Sequence, residues 1–218
     1  VDSMVLISIL HYLKYEVIAI NINYNNRVES VIEQMFLENW CKFNNIKLYV
    51  KSIYEVTREN TKRSDYETIT KKIRFDFYSE ITKKEGIEYV LLAHHKDDII
   101  ENIFANVCRG RNILDLAVIK QDALIHNIQI FRPMTDFYKK TILDFADKVQ
   151  VPYFKDSTPK WSVRGKYRNN IYPIVEDAFT SNVKERLLEL SYQSDEWGEL
   201  ISEKIIKPFM DSIIWQNG

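Results

Sequence analysis

The chain has 218 residues, 45% of them hydrophobic, and sets 30 Lys and Arg against 31 Asp and Glu for a net charge of -1. That length and apolar content suit one cored domain with a small appendage, while the balanced charge excludes a protein that coats nucleic acid by bulk charge, so RNA contacts must come from local clusters. No run approaches the roughly 20 apolar residues of a membrane span, no signal segment organises the first residues, and Cys41 and Cys108 form no CxxC pair, so a cytoplasmic protein with reduced core thiols is the expectation.

In chain order, the near-continuous apolar stretch Val5 to Leu13 is too long for a typical strand and reads as a buried helix starting near Ser3. Val17 to Ile22 is short enough to be a strand covered on both faces. The beat repeats with a helical pattern over Ser30 to Phe43 and a short strand over Lys47 to Val50. Ile69, Ile73, Phe77 and Ile81 recur every four residues and predict one apolar helix face, ended by Gly86. Tyr89 to Ala93 reads as a third buried strand, and Ile99, Ile100, Ile103, Phe104, Val107 and Cys108 as an amphipathic helix closed by Gly110. Ile128 to Phe131 and Tyr138 to Val149 supply another strand and helix. Such alternation predicts an α/β fold, a doubly wound parallel sheet wrapped by helices. After about Pro173, Leu187, Leu188, Leu190, Trp197, Ile201, Ile205 and Ile206 keep helical spacing without strand signals. The division expected is residues 1–172 as the α/β domain and 173–218 as a helical appendage.

The stretch Ala93-His94-His95-Lys96-Asp97-Asp98-Ile99-Ile100-Glu101-Asn102 follows a predicted strand and opens a helix, which places it at the mouth of the sheet. Asp98 and Glu101, three apart, project from the same helical end, where they could receive a cationic ligand or magnesium. The ordinary alternative makes Asp98 an N-cap and Glu101 its capping-box partner. No capping rule calls for two histidines followed by two aspartates. Asp2 and Ser3, taken alone, are only good helix-starting residues.

Together these stretches resemble the PP-loop ATP pyrophosphatases, which carry Ser-Gly-Gly-x-Asp-Ser between their first strand and first helix; Val1, Asp2 and Ser3 look like the second half of that motif, with the first half expected upstream. Within that family the first 170 residues resemble the lysidine synthase branch in order. Asn21 to Ser30 is similar to its His-Val-Asn-His-Gly-Leu-Arg-x-Glu-Ser, with the histidines replaced. Glu67 to Phe75 is similar to Glu-x-x-Ala-Arg-x-x-Arg-Tyr, with Lys71 for the first arginine and Arg74 kept. His94 to Asn102 is similar to His-His-x-Asp-Asp-x-x-Glu-Thr, and Arg109-Gly110, Arg132-Pro133, Asp156-Ser157 and Arg168-Asn169 fall where the branch has its corresponding elements. Pro173 arrives sooner than in the branch. Each piece also has a plain reading: a surface Glu67–Lys71 ion pair, a helix stop at Arg109-Gly110, a surface arginine at Arg132.

The resemblance implies an adenine nucleotide alpha hydrolase-like fold, ATP and Mg2+, and tRNA, ATP and L-lysine as substrates. It implies Asp2, Arg74 and His94 as catalytic residues, and Asp2, Ser3 and Arg109 as ATP contacts. Asp98 and Glu101 would bind the lysine substrate, and Asp2 and Asp97 the magnesium. Lys155 to Arg168 combines cations with Trp161 and Tyr167, a composition suited to an unpaired RNA loop, so Arg132, Lys160, Trp161, Arg164, Lys166 and Arg168 become RNA contacts. A solvated basic loop with Trp161 in the core explains that segment equally. A tRNA thiolase relative, a small-molecule amide ligase relative and a non-catalytic tRNA-binding protein of the same fold are the rival readings. Oligomeric state is left open, a homodimer included.

Overall fold

A computed structural model describes residues 1–154, 162–179 and 182–213. It divides into two compact units: Val1–Ala93, Gln121–Pro133 and Lys140–Lys155 in the first, and His94–Lys120, Met134–Lys139 and Asp156–Gly218 in the second.

The first unit is the α/β part. It contains α1 (Asp2–Tyr12), β1 (Ile18–Asn23), α2 (Glu29–Phe43), β2 (Lys47–Ser52), α3 (Arg63–Glu85) and β3 (Tyr89–Leu91). The β4 strand (Asp122–Ile125), β5 (Ile128–Phe131) and most of α5 (Lys139–Val149) complete it. Strands β1 and β2 pair in parallel from Ile18 opposite Lys47 to Asn23 opposite Ser52. Strand β3 pairs in parallel with β5, and β4 pairs antiparallel with β5. The hairpin turns on His126 and Asn127, both at positive φ, as a two-residue type I′ connection requires. Sequence reading found β5 and missed β4, because His-Asn is a weak turn signal beside Asn-Gly.

Two apolar clusters among the described residues help hold this unit. Ala19, Cys41 and Ile46 pack with Ile7, Leu37, Trp40 and Leu48. Phe75, Tyr78, Val90, Ile128 and Ile130 pack with Ile20, Ile22, Leu92 and Ile125. Three expectations need correcting. The α1 helix is not buried all round: Val5 and Leu6 are buried while Tyr12 and Leu13 are exposed, because a helix on a sheet layer covers only one side. The buried residues of α3 are Tyr66, Thr70, Phe75, Tyr78 and Ile81, whereas Ile69 faces solvent. A strict four-residue step advances about 400° and drifts about 40° per step around the helix, so an unbroken i, i+4 row leaves the buried face. Cys41 is a core thiol, pushed up to about 11 by burial, but Cys108 is exposed.

The second unit is helical. It contains α4 (Lys96–Cys108), α6 (Val163–Lys166), a π-helical turn (Tyr167–Ile171), α7 (Tyr172–Phe179), α8 (Val183–Ile201), a second π turn (Ser202–Ile206) and α9 (Lys207–Ser212). Each π turn ends two residues before a proline, Pro173 or Pro208. Proline has no N–H for the carbonyl four residues back and its ring crowds that carbonyl, so the helix widens there. Ile100, Tyr167 and Leu188 form one apolar cluster, with Phe104, Tyr138 and Tyr172 against it.

Candidate active site

The predicted site residues fall into two groups, one in each unit. In the first unit, Asp2 and Ser3 occupy the first turn of α1, whose N-terminus has no side-chain cap, and Asp2 complements the positive end of the helix dipole. Arg74 lies on α3 and Arg132 directly after β5. Arg132 is only 4% exposed, so the surface-arginine alternative does not hold. Burial and then the nearby positive charge of Arg74 hold the Arg132 guanidinium below its ordinary value. Arg74 and Arg132 thus bring two positive charges near one another in a partly dry setting. The Nε of Arg74, the Oδ1 of Asn21 and the hydroxyl of Tyr66 are buried without a hydrogen-bond partner among the described residues. Neither Asn21 nor Tyr66 was singled out from sequence, since an orphaned atom is a property of packing. The Glu67–Lys71 pair does not form: Glu67 accepts from Arg63 Nε at 2.8 Å, and Lys71 lies 6.0 Å from the Phe75 ring.

The β1–α2 connection is held by two asparagines, Asn23 where the lysidine synthase branch also has asparagine and Asn25 where it has glycine. Asn23 Nδ2 donates to Gln34 Oε1 at 2.8 Å, Asn25 N–H donates to Asn23 Oδ1 at 2.9 Å, and Asn25 Nδ2 donates to the Ile53 carbonyl at 3.1 Å. Asn25 sits at φ 48°, which asparagine tolerates better than most residues.

In the second unit, the His-His-Lys-Asp-Asp stretch opens α4. The capping residue is His95, not Asp98. The Asp98 N–H donates to His95 Nδ1 at 3.4 Å, and the His95 N–H donates to Asp98 Oδ2 at 3.1 Å. A capping box therefore accounts for one histidine and one aspartate of this stretch. Asp97 Oδ2 accepts the Lys139 N–H at 2.7 Å and Oδ1 accepts from Lys184 Nζ at 2.5 Å. Burial works upward on the Asp97 carboxyl, but those two donors outweigh it and leave it below its ordinary value. Lys184 was not foreseen; it comes from α8, 87 positions away.

Glu101, one turn further on, takes no part in the cap. Glu101 and Asp98 side chains are 8% and 9% exposed, and two arginines on one face of the α6–π segment meet them. Arg168 Nε donates to Glu101 Oε1 at 2.5 Å, and its Nη2 lies 3.7 Å from Asp98 Oδ1. Arg164 stands 3.6 Å from Glu101 Oε2 and 3.7 Å from Asp98 Oδ1. Burial raises the Glu101 carboxyl, with Arg168 and then Arg164 pulling the other way. Residues assigned to two different ligands from sequence are thus direct partners.

Arg109 is the exposed C-cap of α4, 11 residues or about 16 Å along the helix from Asp98. Lys166 is exposed, His94 half-buried, and Lys160 and Trp161 lie outside the described residues. Among the described residues there is no group of three His, Cys, Asp or Glu side chains that could hold a metal ion, and no helix long and apolar enough to cross a membrane.

The tRNA(Ile)-lysidine synthase of Oceanobacillus iheyensis is 30% identical over 184 residues, covering 80% of this chain and 39% of that protein. Its counterpart in Mycoplasmopsis pulmonis is 31% identical over 175 residues, covering 78% and 58%. That of Chlamydia felis is 25% identical over 218 residues, covering 99% and 68%. The chain thus spans between about two fifths and two thirds of the length of these relatives. Among solved structures, the U34-tRNA thiolase NcsA from Methanococcus maripaludis superposes with a TM-score of 0.67 at 16% identity, covering 91% of this chain and 69% of the thiolase, a likeness of fold. The PP-loop domain family (ATP_bind_3) matches residues 1–175, that is, both parallel strand pairs, the head of α4 and the arginines that meet it, and this chain belongs to that family.

Proposed function

We propose that the chain carries the catalytic domain of an ATP-dependent tRNA-modifying ligase, which adenylates the wobble cytidine of an isoleucine tRNA in the cytoplasm and joins lysine to it. The observation that carries this reading is the buried carboxylate pair Asp98 and Glu101 at the head of α4, within the stretch matched by the PP-loop family. A dry pair of carboxylates faced by two arginines is suited to receive an alkylammonium group. The cytosine C2 oxygen attacks the ATP α-phosphorus and pyrophosphate leaves; the lysine amine then attacks C2, loses a proton and displaces AMP.

Such chemistry depends on positioning and on neutralising phosphate charge. Ser3 and the first turn of α1 are suited to pyrophosphate, and the Arg74–Arg132 pair in the same unit supplies positive charge for an anion. Arg74 and His94 are assigned to the reacting phosphate or base, Arg109 to ATP. Magnesium characteristically takes one or two carboxylates together with substrate phosphates, so Asp2 fits as its protein ligand, while Asp97 would first have to exchange Lys184 for the ion. When bound, the ion would neutralise the phosphates. Arg132, Arg164, Lys166 and Arg168, with Lys160 and Trp161, are assigned to RNA.

The test is incorporation of labelled lysine into an isoleucine tRNA transcript by the full-length protein with ATP and Mg2+. Incorporation is expected, and its absence from a folded sample that performs ATP–pyrophosphate exchange would remove the lysine assignment. The thiolase reading is disfavoured because the two cysteines of this sequence, Cys41 and Cys108, form no CxxC pair.

A further inference from the structure

Asp98 and Glu101 are each more than nine tenths buried, and an isolated buried carboxylate is costly, so the pair needs cationic company whether or not substrate is present. Arg164 and Arg168 supply it, but unequally. Arg168 is held by a direct hydrogen bond to Glu101. Arg164 is 55% exposed, and its contacts of 3.6 and 3.7 Å exceed hydrogen-bond range. Glu101 Oε2, the atom Arg164 faces, is buried and has no hydrogen-bond partner among the described residues. That acceptor is aimed at a donor which the planar guanidinium does not deliver. A compact ammonium with three donors can approach more closely, whereas a guanidinium released to solvent is well matched to a phosphate.

We propose that Arg164 is an internal stand-in for the substrate ammonium: it covers Asp98 and Glu101 in the free protein, and RNA phosphate draws it away so that the ammonium takes its place. This rests on the lysine reading of the carboxylate pair. Arg168 stays on Glu101 throughout as the positioning residue. Because the two events share one residue, they are coupled: RNA tightens lysine binding and lysine tightens RNA binding by the same factor.

The test is calorimetric titration of L-lysine into the full-length protein without ATP, in the presence and absence of an isoleucine tRNA transcript with a wobble cytidine. The wild type is expected to bind lysine at least about fivefold tighter with tRNA. Arg164→Gln is expected to bind lysine in the absence of tRNA at least as tightly as the wild-type complex and to gain nothing from tRNA. Equal wild-type affinity in both states, no lysine binding in either, or a tRNA-dependent gain that survives in Arg164→Gln would overturn the proposal. Glu101→Gln separates the two failures. If it binds lysine as the wild type does, the ammonium reading itself is wrong; if it loses lysine while the wild type is indifferent to tRNA, that reading stands and only the exchange is wrong.

Discussion

Arg168 Nε donates to Glu101 Oε1 at 2.5 Å across 67 positions of chain, joining the π turn ahead of Pro173 to the second turn of α4. That contact makes a carboxylate tolerable in a dry place without removing the cost of burying it. Burial raises the Glu101 carboxyl despite Arg168 and Arg164, so the group ionises less readily in the folded state than in the unfolded one. Stability attached to this group is therefore greatest below the unfolded value of about 4.3 and is lost as pH rises through the higher folded value. Glu101→Gln, a neutral mimic, lacks this dependence. Urea midpoints measured at pH 4 and pH 7 should shift relative to wild type in the variant's favour at pH 7; an unchanged difference would contradict the assignment.

Lys184 ties α8 to α4 through Asp97 and lies 4.8 Å from the Tyr172 ring and 5.7 Å from that of Tyr138. Lys184→Met keeps the aliphatic volume and removes the charge, leaving the half-buried Asp97 carboxylate with the Lys139 N–H as its one remaining donor of the two. The expected cost is about 1–3 kcal/mol, read as a lower urea midpoint with unchanged slope.

Arg74 and Arg132 pull the other way. Their proximity works against the folded state, so Arg74→Met is expected to leave the thermal midpoint unchanged or raise it. If the pair serves the reacting phosphate, ATP–pyrophosphate exchange falls by about a hundredfold or more in the same variant. Differential scanning fluorimetry and an exchange assay on one preparation check both halves, and a variant that loses midpoint and activity together would mark Arg74 as structural.

Gly86 ends α3 at φ 66°, and a Cβ placed there meets nothing within 4 Å. The cost of Gly86→Ala is then one of backbone alone, about 1–2 kcal/mol by chemical denaturation. Gly86→Asn should recover part of it, because asparagine visits the left-handed region more readily.

Local rules carried much of the fold. The period-3.6 and short apolar runs located α2, α4, α5, β1 and β2 to within a few residues, and Gly86 marked a helix end because only a residue free of Cβ strain enters αL cheaply. They failed where a decision was collective. Which face of α3 is buried depends on what the helix lies against, and the His126-Asn127 turn is stable because two paired strands hold it.

For the candidate site the division is sharper. Sequence order alone nominated the candidate residues, since ion and phosphate chemistry needs particular side chains at a strand end or helix start, and those are written locally. Tertiary structure decided their partners. It gave His95 to the cap, Asp97 to Lys184, and Asp98 with Glu101 to Arg164 and Arg168. Charge pairing over 67 or 87 positions depends on how helices pack, and no local spacing rule encodes it.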